Sequence, residues 1–171
     1  SEDKLNRDWV VPGTEGFEHR IGGLEKDAIT GNISHDGLNH EKMVKTRQAK
    51  VDKVADFVPL QEVEGSEDAD LLVIGWGGTY GHLQTAVKEL NAEGKKVALA
   101  QFNYIMPLPK NTDEILKKYK KIVVCELNLG QFAGYLRMQF PQYVYNQFNR
   151  VQGQPFMVSE LKEEFLKLME A

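Results

Sequence analysis

One cysteine, Cys125, stands in a chain of 171 residues. A single thiol excludes an internal disulfide. It also excludes an iron–sulfur cluster held by this chain alone, since such clusters take about four thiolates. Cysteine this scarce points to a reducing, cytoplasmic compartment. Cys125 lies in the apolar run Ile122-Val123-Val124-Cys125, which reads as a strand with a buried, inert thiol. Long hydrophobic runs are missing too. Nothing approaches the roughly 20 residues that span a bilayer, and the start of the chain does not resemble a signal peptide. Positive charge is not in excess: 21 Lys and Arg stand against 25 Asp and Glu, for a net charge of −4. That balance gives no electrostatic case for nucleic acid or an anionic membrane. The one basic run, Lys117, Lys118, Lys120 and Lys121, closes an expected helix, where cations complement the macrodipole. The first residue is Ser rather than Met, so a piece of a longer or processed chain is expected. There is no internal repeat.

What is present is organised around Leu71-Leu72-Val73-Ile74-Gly75-Trp76-Gly77-Gly78-Thr79-Tyr80-Gly81-His82. Consecutive apolar residues read as a strand buried on both faces. A glycine-rich turn follows, then an amphipathic helix over Thr79–Asn91, with Leu83, Ala86, Val87 and Leu90 on one face and Gly94 as its stop. Strands are expected at Val97–Phe102 and Ile122–Glu126. Asn111 and Glu114 suggest a capped helix reaching Tyr119. A further helix carries Phe132, Leu136 and Phe140 and ends at Pro141. Tyr143, Tyr145 and Phe148 add aromatic density; with negative net charge this reads as packing, not as a platform for stacked bases. Residues 153–158 suggest a turn and short strand, and Ser159 a cap for a last helix. Strands alternating with helices imply a mostly parallel sheet of about five strands covered on both faces. Phe57–Gln61 is the expected edge strand, because Pro59 removes a ladder donor.

Before this α/β region, residues 1–38 are rich in glycine and polar groups and lack periodicity. They read as an extended arm laid over another surface. A helix over His40–Asp56, capped by Asn39, connects the arm to the rest. The expected division is an arm and connecting helix at 1–56 and an α/β domain at 57–171. His19, His35 and His40 fit no zinc spacing, so no metal site is expected.

The glycine turn is the first candidate for chemistry. A dinucleotide fingerprint has glycines at its first, third and sixth positions and an acidic residue near the end of the next strand. Gly75 and Gly77 fill the first two places, but Tyr80 takes the third, and Gln101-Phe102 stand where the acid belongs. Gly75, Gly77, Gly78, Thr79 and Tyr80 therefore remain weak candidates for holding an anion. The turn lacks the serine of a nucleophile elbow. Glu126, with Asn128 and Gln131, is the strongest polar cluster. It suits holding backbone amides or a partner chain, and no catalytic residue is assigned.

Gly75-Trp76-Gly77-Gly78-Thr79-Tyr80-Gly81, Pro107-Leu108-Pro109 and Glu126-Leu127-Asn128-Leu129-Gly130-Gln131, in that order, resemble the carboxyl-terminal part of the alpha subunit of 2-oxoacid:ferredoxin oxidoreductases, most of all the 2-oxoglutarate type. Gly13-Thr14-Glu15-Gly16, His19-Arg20, Gly23-Leu24-Glu25, Gly31-Asn32-Ile33-Ser34 and Asn39-His40 with Met43, Arg47 and Lys50 resemble the segment entering that domain. Lys26 stands where the family commonly has a histidine, so no role of that histidine carries over. The resemblance implies a transketolase C-terminal-like, three-layer α/β/α sandwich with one antiparallel edge strand. It implies a parent enzyme that oxidatively decarboxylates a 2-oxoacid to an acyl-coenzyme A, using thiamine diphosphate, an iron–sulfur cluster and ferredoxin. The implied partners are a thiamine-binding beta subunit and an upstream alpha-subunit domain, in an oligomer of both subunits. This chain would then be an assembly domain holding no cofactor itself, with His19, Arg20, Glu25, Glu126, Asn128 and Gln131 as interface candidates. Two alternatives stand: a pyruvate or branched-chain 2-oxoacid enzyme, or a stand-alone module binding a small anion or nucleotide.

Overall fold

The computed structural model describes residues 3–171. It divides into two compact units, one ending at Phe57 and the other spanning Val58–Ala171.

The second unit holds one five-stranded sheet: β1 (Glu64–Gly65), β2 (Leu71–Trp76), β3 (Val97–Phe102), β4 (Lys121–Glu126) and β5 (Asn146–Asn149), in the order β1-β3-β2-β4-β5. β1 runs antiparallel to β3 and the other neighbours are parallel. The period-2 alternation of strand side chains sorts the core into two layers. Leu71, Val73, Val97, Leu99, Val123 and Cys125 pack on one face with Leu83, Ala86, Val87 and Leu90 of α2 (Tyr80–Ala92) and Leu161 and Phe165 of α5 (Val158–Glu170). Leu72, Ile74, Ala98, Ala100, Ile122 and Val124 pack on the other with Ile115 and Leu116 of α3 (Thr112–Leu116) and Phe132, Ala133 and Leu136 of α4 (Gln131–Gln139). The chain moves outward from β2 to β3, then returns to place β4 on the other side of β2. Crossovers of one hand put the connecting helices of opposite directions on opposite faces. The expected sandwich with an antiparallel edge is what forms.

Several local expectations fail for a physical reason. Phe57–Gln61 is not a strand. Asn111 grips the Gln61 backbone instead, Oδ1 accepting from its N–H at 2.8 Å and Nδ2 donating to its carbonyl at 2.9 Å. The edge role falls to Glu64–Gly65, and Asn111, so engaged, makes no side-chain cap for α3. That helix stops at Leu116, short of Tyr119. Residues 153–158 form no strand. Phe156 goes into the core, stacked on Phe148 at 5.4 Å, and the last strand is the polar Asn146–Asn149. Helix α5 starts one residue before Ser159, with Met157 at the cap position and no side-chain cap. Gly75 belongs to β2 rather than to the turn.

In the first unit, α1 (Gly37–Lys53) begins earlier than expected and is capped by Asp36, whose Oδ1 accepts from the Asn39 N–H at 2.7 Å. Asn39 holds the arm instead, bonding the Ala28 N–H and the Lys26 carbonyl at 3.0 and 2.9 Å. A tight turn follows, where Asp27 Oδ1 accepts from the Ile29 and Thr30 N–H groups. Among the described residues of this unit none is fully buried.

Gly75 lies where β2 passes under α2. An added Cβ would sit 2.3 Å from Leu83 Cδ1, 2.7 Å from Gln101 Oε1 and 2.9 Å from Thr79 Oγ1. Gly75→Ala is expected to destabilise the second unit by about 2 kcal/mol through overpacking. Gly134, exposed within α4, has open space around it, so Gly134→Ala should stabilise by about 0.5–1 kcal/mol. Urea unfolding of both variants checks the pair; equal effects would contradict the packing described here.

Candidate functional site

In an open α/β sheet, ligands favour the crevice outside the strands' carboxyl ends, where strand order reverses. Here that place lies between β2 and β4, at Trp76 and Glu126. The chain fills it with its own side chains. Glu126 is 1% exposed, and all its partners are donors. Oε1 accepts from the Trp76 indole Nε1 at 3.2 Å, Asn128 Nδ2 at 3.1 Å and the Phe132 N–H at 2.8 Å. Oε2 accepts from the Ala133 N–H at 3.0 Å. A helix start leaves its first N–H groups without partners, and its dipole favours a negative charge there. Glu126 supplies both needs for α4. Asn128 completes the start: its Oδ1 accepts from the Gly130 and Gln131 N–H groups at 2.7 and 3.0 Å. Gly130 has φ +91°, in the left-handed region that favours glycine. Thus Glu126, Asn128 and Gly130 each have a geometric job at one helix terminus. Gln131 itself is exposed, as is Leu129 at 83%.

The glycine turn is a corner stapled from within. Thr79 Oγ1 accepts from the Trp76 N–H at 3.2 Å and donates to the Trp76 carbonyl at 2.9 Å. Gln101 Nε2 donates to the Gly77 carbonyl at 3.2 Å. Tyr80 turns toward β1, its hydroxyl donating to Glu64 Oε1 at 2.6 Å and accepting from Gln84 Nε2 at 2.5 Å. Tyr80 and Gln84, whose Nε2 also donates to Glu64 Oε2 at 2.7 Å, hold the Glu64 carboxyl below the usual glutamate range, with Tyr80 the larger influence. Gly77 has φ +58°, and Gly78 faces open space. The turn, residues 76–82, contains no Lys or Arg, and neither does the loop 127–131. An anion brought here would meet no Lys or Arg side chain from either segment. Burial pushes the Cys125 thiol up, away from reactivity. No group of three or more His, Cys, Asp or Glu side chains is placed to hold a metal ion among the described residues.

The arm candidates lie in the other unit. His19 and Arg20 are exposed, with His19 Nδ1 2.8 Å from the Phe17 carbonyl oxygen. Glu25 fastens the arm to α1. Arg47 donates to both its oxygens, at 3.2 and 3.3 Å, and His40 Nδ1 lies 2.8 Å from Oε2. The Arg47 guanidinium first, and His40 second, bring the Glu25 carboxyl down to about 2. Trp76 was not singled out from the sequence as a partner of Glu126. Fifty residues separate them, and only the adjacency of β2 and β4 joins them.

Residues 69–161 match the pyruvate:ferredoxin oxidoreductase core domain II family, and the chain belongs to that family. It is 43% identical over 160 residues to the 2-oxoglutarate oxidoreductase subunit KorA of Mycobacterium tuberculosis, covering 93% of this chain and 24% of that protein. It is 33% identical over 131 residues to the 2-oxoglutarate synthase subunit KorA of Methanocaldococcus jannaschii, covering 75% and 34%. Among solved structures, the 2-oxoglutarate:ferredoxin oxidoreductase of Magnetococcus marinus, determined with 2-oxoglutarate, coenzyme A and succinyl-CoA bound, superposes with a TM-score of 0.84 at 31% identity. That match covers 94% of this chain and 28% of the other. The chain spans about a quarter of the length of the first relatives it matches.

Glu126→Ala would strand the buried Phe132 and Ala133 N–H groups and the partly buried Trp76 indole. A loss of about 3 kcal/mol is expected, with altered Trp76 emission even in the folded protein; a change under 1 kcal/mol would contradict the role described. Glu25 offers a pH test. Its folded value lies below the ordinary 4.5, so its tie to α1 stabilises the arm fully above that value and is lost as pH falls toward about 2. Carbon-detected NMR of the Glu25 carboxyl should titrate near 2, and Arg47→Ala should move the midpoint upward.

Proposed function

We propose that this chain is the carboxyl-terminal assembly domain of a 2-oxoglutarate:ferredoxin oxidoreductase alpha subunit. The observation that carries the reading is the Trp76–Glu126 pair at the strand-order reversal. A fold that elsewhere binds ligands at this crevice has it closed by an internal carboxylate, while the loops around it carry exposed apolar side chains, amides and few charges, Arg150 among them being paired with Glu160. Leu127, Leu129, Tyr104 and Met106 are exposed at this end, and Lys110 is the only Lys or Arg in the loop 103–110. Depletion of charge with exposed aromatic and methionine side chains suits the core of a protein interface. It does not suit a diphosphate or a coenzyme A phosphate.

The residues of this chain do not fit thiamine diphosphate or an iron–sulfur cluster. The single thiol is buried, the start of α4 is taken by Glu126, and the turn before α2 offers no Lys or Arg to a diphosphate. We therefore assign both groups to other parts of the parent enzyme, held by a thiamine-binding beta subunit and an upstream alpha-subunit domain. Coenzyme A is the co-substrate there, ferredoxin accepts the electrons, and the compartment is the reducing cytoplasm. Specificity for 2-oxoglutarate is supported by the names of the Mycobacterium and Methanocaldococcus relatives; a pyruvate or branched-chain enzyme is the second reading.

The isolated chain should give no 2-oxoglutarate-dependent reduction of ferredoxin, whereas the complete alpha subunit with its beta subunit should. Turnover by the isolated chain would overturn the assembly role. Preference of the complete enzyme for pyruvate over 2-oxoglutarate would overturn the substrate assignment. Saturable micromolar binding of coenzyme A or a nucleotide to the isolated chain, seen by calorimetry, would favour a binding module instead.

A further inference from the structure

The first unit has secondary structure but no core. Its 17-residue helix α1 buries no side chain, and none of the unit's described residues is fully buried. The arm shows solvent a series of large apolar side chains: Trp9 at 90% exposure, Phe17 at 60%, and Val11, Ile21, Leu24 and Ile29. What orders it is polar and local: the Asp27 turn, the Lys26–Ile33 bridge, the Asn39 clasp and the Glu25–Arg47–His40 tie. Surface ties of this kind contribute roughly 1 kcal/mol or less each, whereas each fully buried Leu, Val or Phe contributes about 1.5–3 kcal/mol. An isolated helix of this length is marginal in water. The unit therefore needs an external apolar surface.

The arm is shared with relatives of this chain. Residues 58–171 make up about two thirds of the chain, so matches covering 93% of it in the Mycobacterium relative and 94% in the Magnetococcus enzyme take in most of the first unit. In those proteins the matched region is 24% and 28% of the polypeptide, leaving about three quarters of the same chain as candidate surface. A surface in the same polypeptide is already at high effective concentration, so the arm can dock without the entropy loss of bringing two molecules together. Two exposed aromatics and four exposed aliphatic side chains among residues 9–29 match the more hydrophobic character of permanent contacts.

We propose that residues 9–29 are a docking strap whose occupant is the remaining part of its own alpha subunit, with Trp9 and Phe17 as its anchors. This rests on the reading of the chain as part of a longer alpha subunit, but its test does not depend on activity. Hydrogen exchange is followed by mass spectrometry for peptides over residues 9–29 in three samples: the 171-residue chain, the complete alpha subunit alone, and the alpha–beta complex. Protection should rise at least about tenfold from the first sample to the second and change little in the third. Trp9→Ala with Phe17→Ala in the complete alpha subunit should abolish that protection and leave peptides from β2 and α2 unchanged. Protection arising only when the beta subunit is added would overturn the proposal. So would protection of the isolated chain that grows with its concentration, the mark of a second copy, or no protection in any sample. A complex inactive on every 2-oxoacid would sink the functional assignment while leaving the strap measurable.

Discussion

The buried carboxylate of Glu126 is the contact on which the domain's functional end depends. It receives two backbone N–H groups from the first turn of α4, the indole of the residue ending β2, and the amide of the loop between. A buried carboxylate stays tolerable only when its lone pairs are met by donors. Here the donors come from three separate elements, so satisfying the charge also sets their spacing. The glycine corner, the β4–α4 loop and the start of α4 become one rigid rim.

That rigidity gives the glycine corner its meaning. Gly75 has no side chain because Leu83, Gln101 and Thr79 stand where a Cβ would go. Gly77 takes a positive φ because the chain must leave β2 sharply. Neither feature needs a phosphate to explain it. At Gly75 the space that a missing side chain leaves admits the protein itself, and α2 is preceded by a turn closed through Thr79. The edges of the sheet are managed separately: β1 is two residues long, and β5 is mostly amide side chains. Short or polar edges discourage pairing with other sheets.

The central strands were legible because burial on both faces leaves continuous apolar runs such as Leu71–Ile74 and Ile122–Cys125. Helices α2 and α4 were legible from their 3.6-residue stripes. The sheet's edges were not. β5, with Asn and Gln at three of its four positions, carries no apolar signal, and its place comes from the ladder to β4 and from Phe148 on Phe156. Asn111 and Asn39 both resembled caps, yet each spends its amide on a strand of backbone distant in sequence, which local spacing does not encode. At the site, the cluster Glu126–Asn128–Gln131 could be named, and its ability to hold backbone amides followed from a carboxylate at a strand end. The inward orientation of Glu126, and its bond to Trp76, depended on which strands lie side by side.

The Trp76–Glu126 bond also constrains how this domain can change. Exchange Trp76 alone for an apolar residue, and a buried carboxylate loses a donor. Exchange Glu126 alone, and the helix start and the indole are both orphaned. Reopening the crevice to a ligand would take coordinated replacement of both residues and of the loop that Asn128 shapes, with destabilised intermediates along any stepwise route. Once such a plug is in place, descent with single substitutions tends to keep it. A lineage bearing it is thereby committed to using this face as a surface rather than as a cavity.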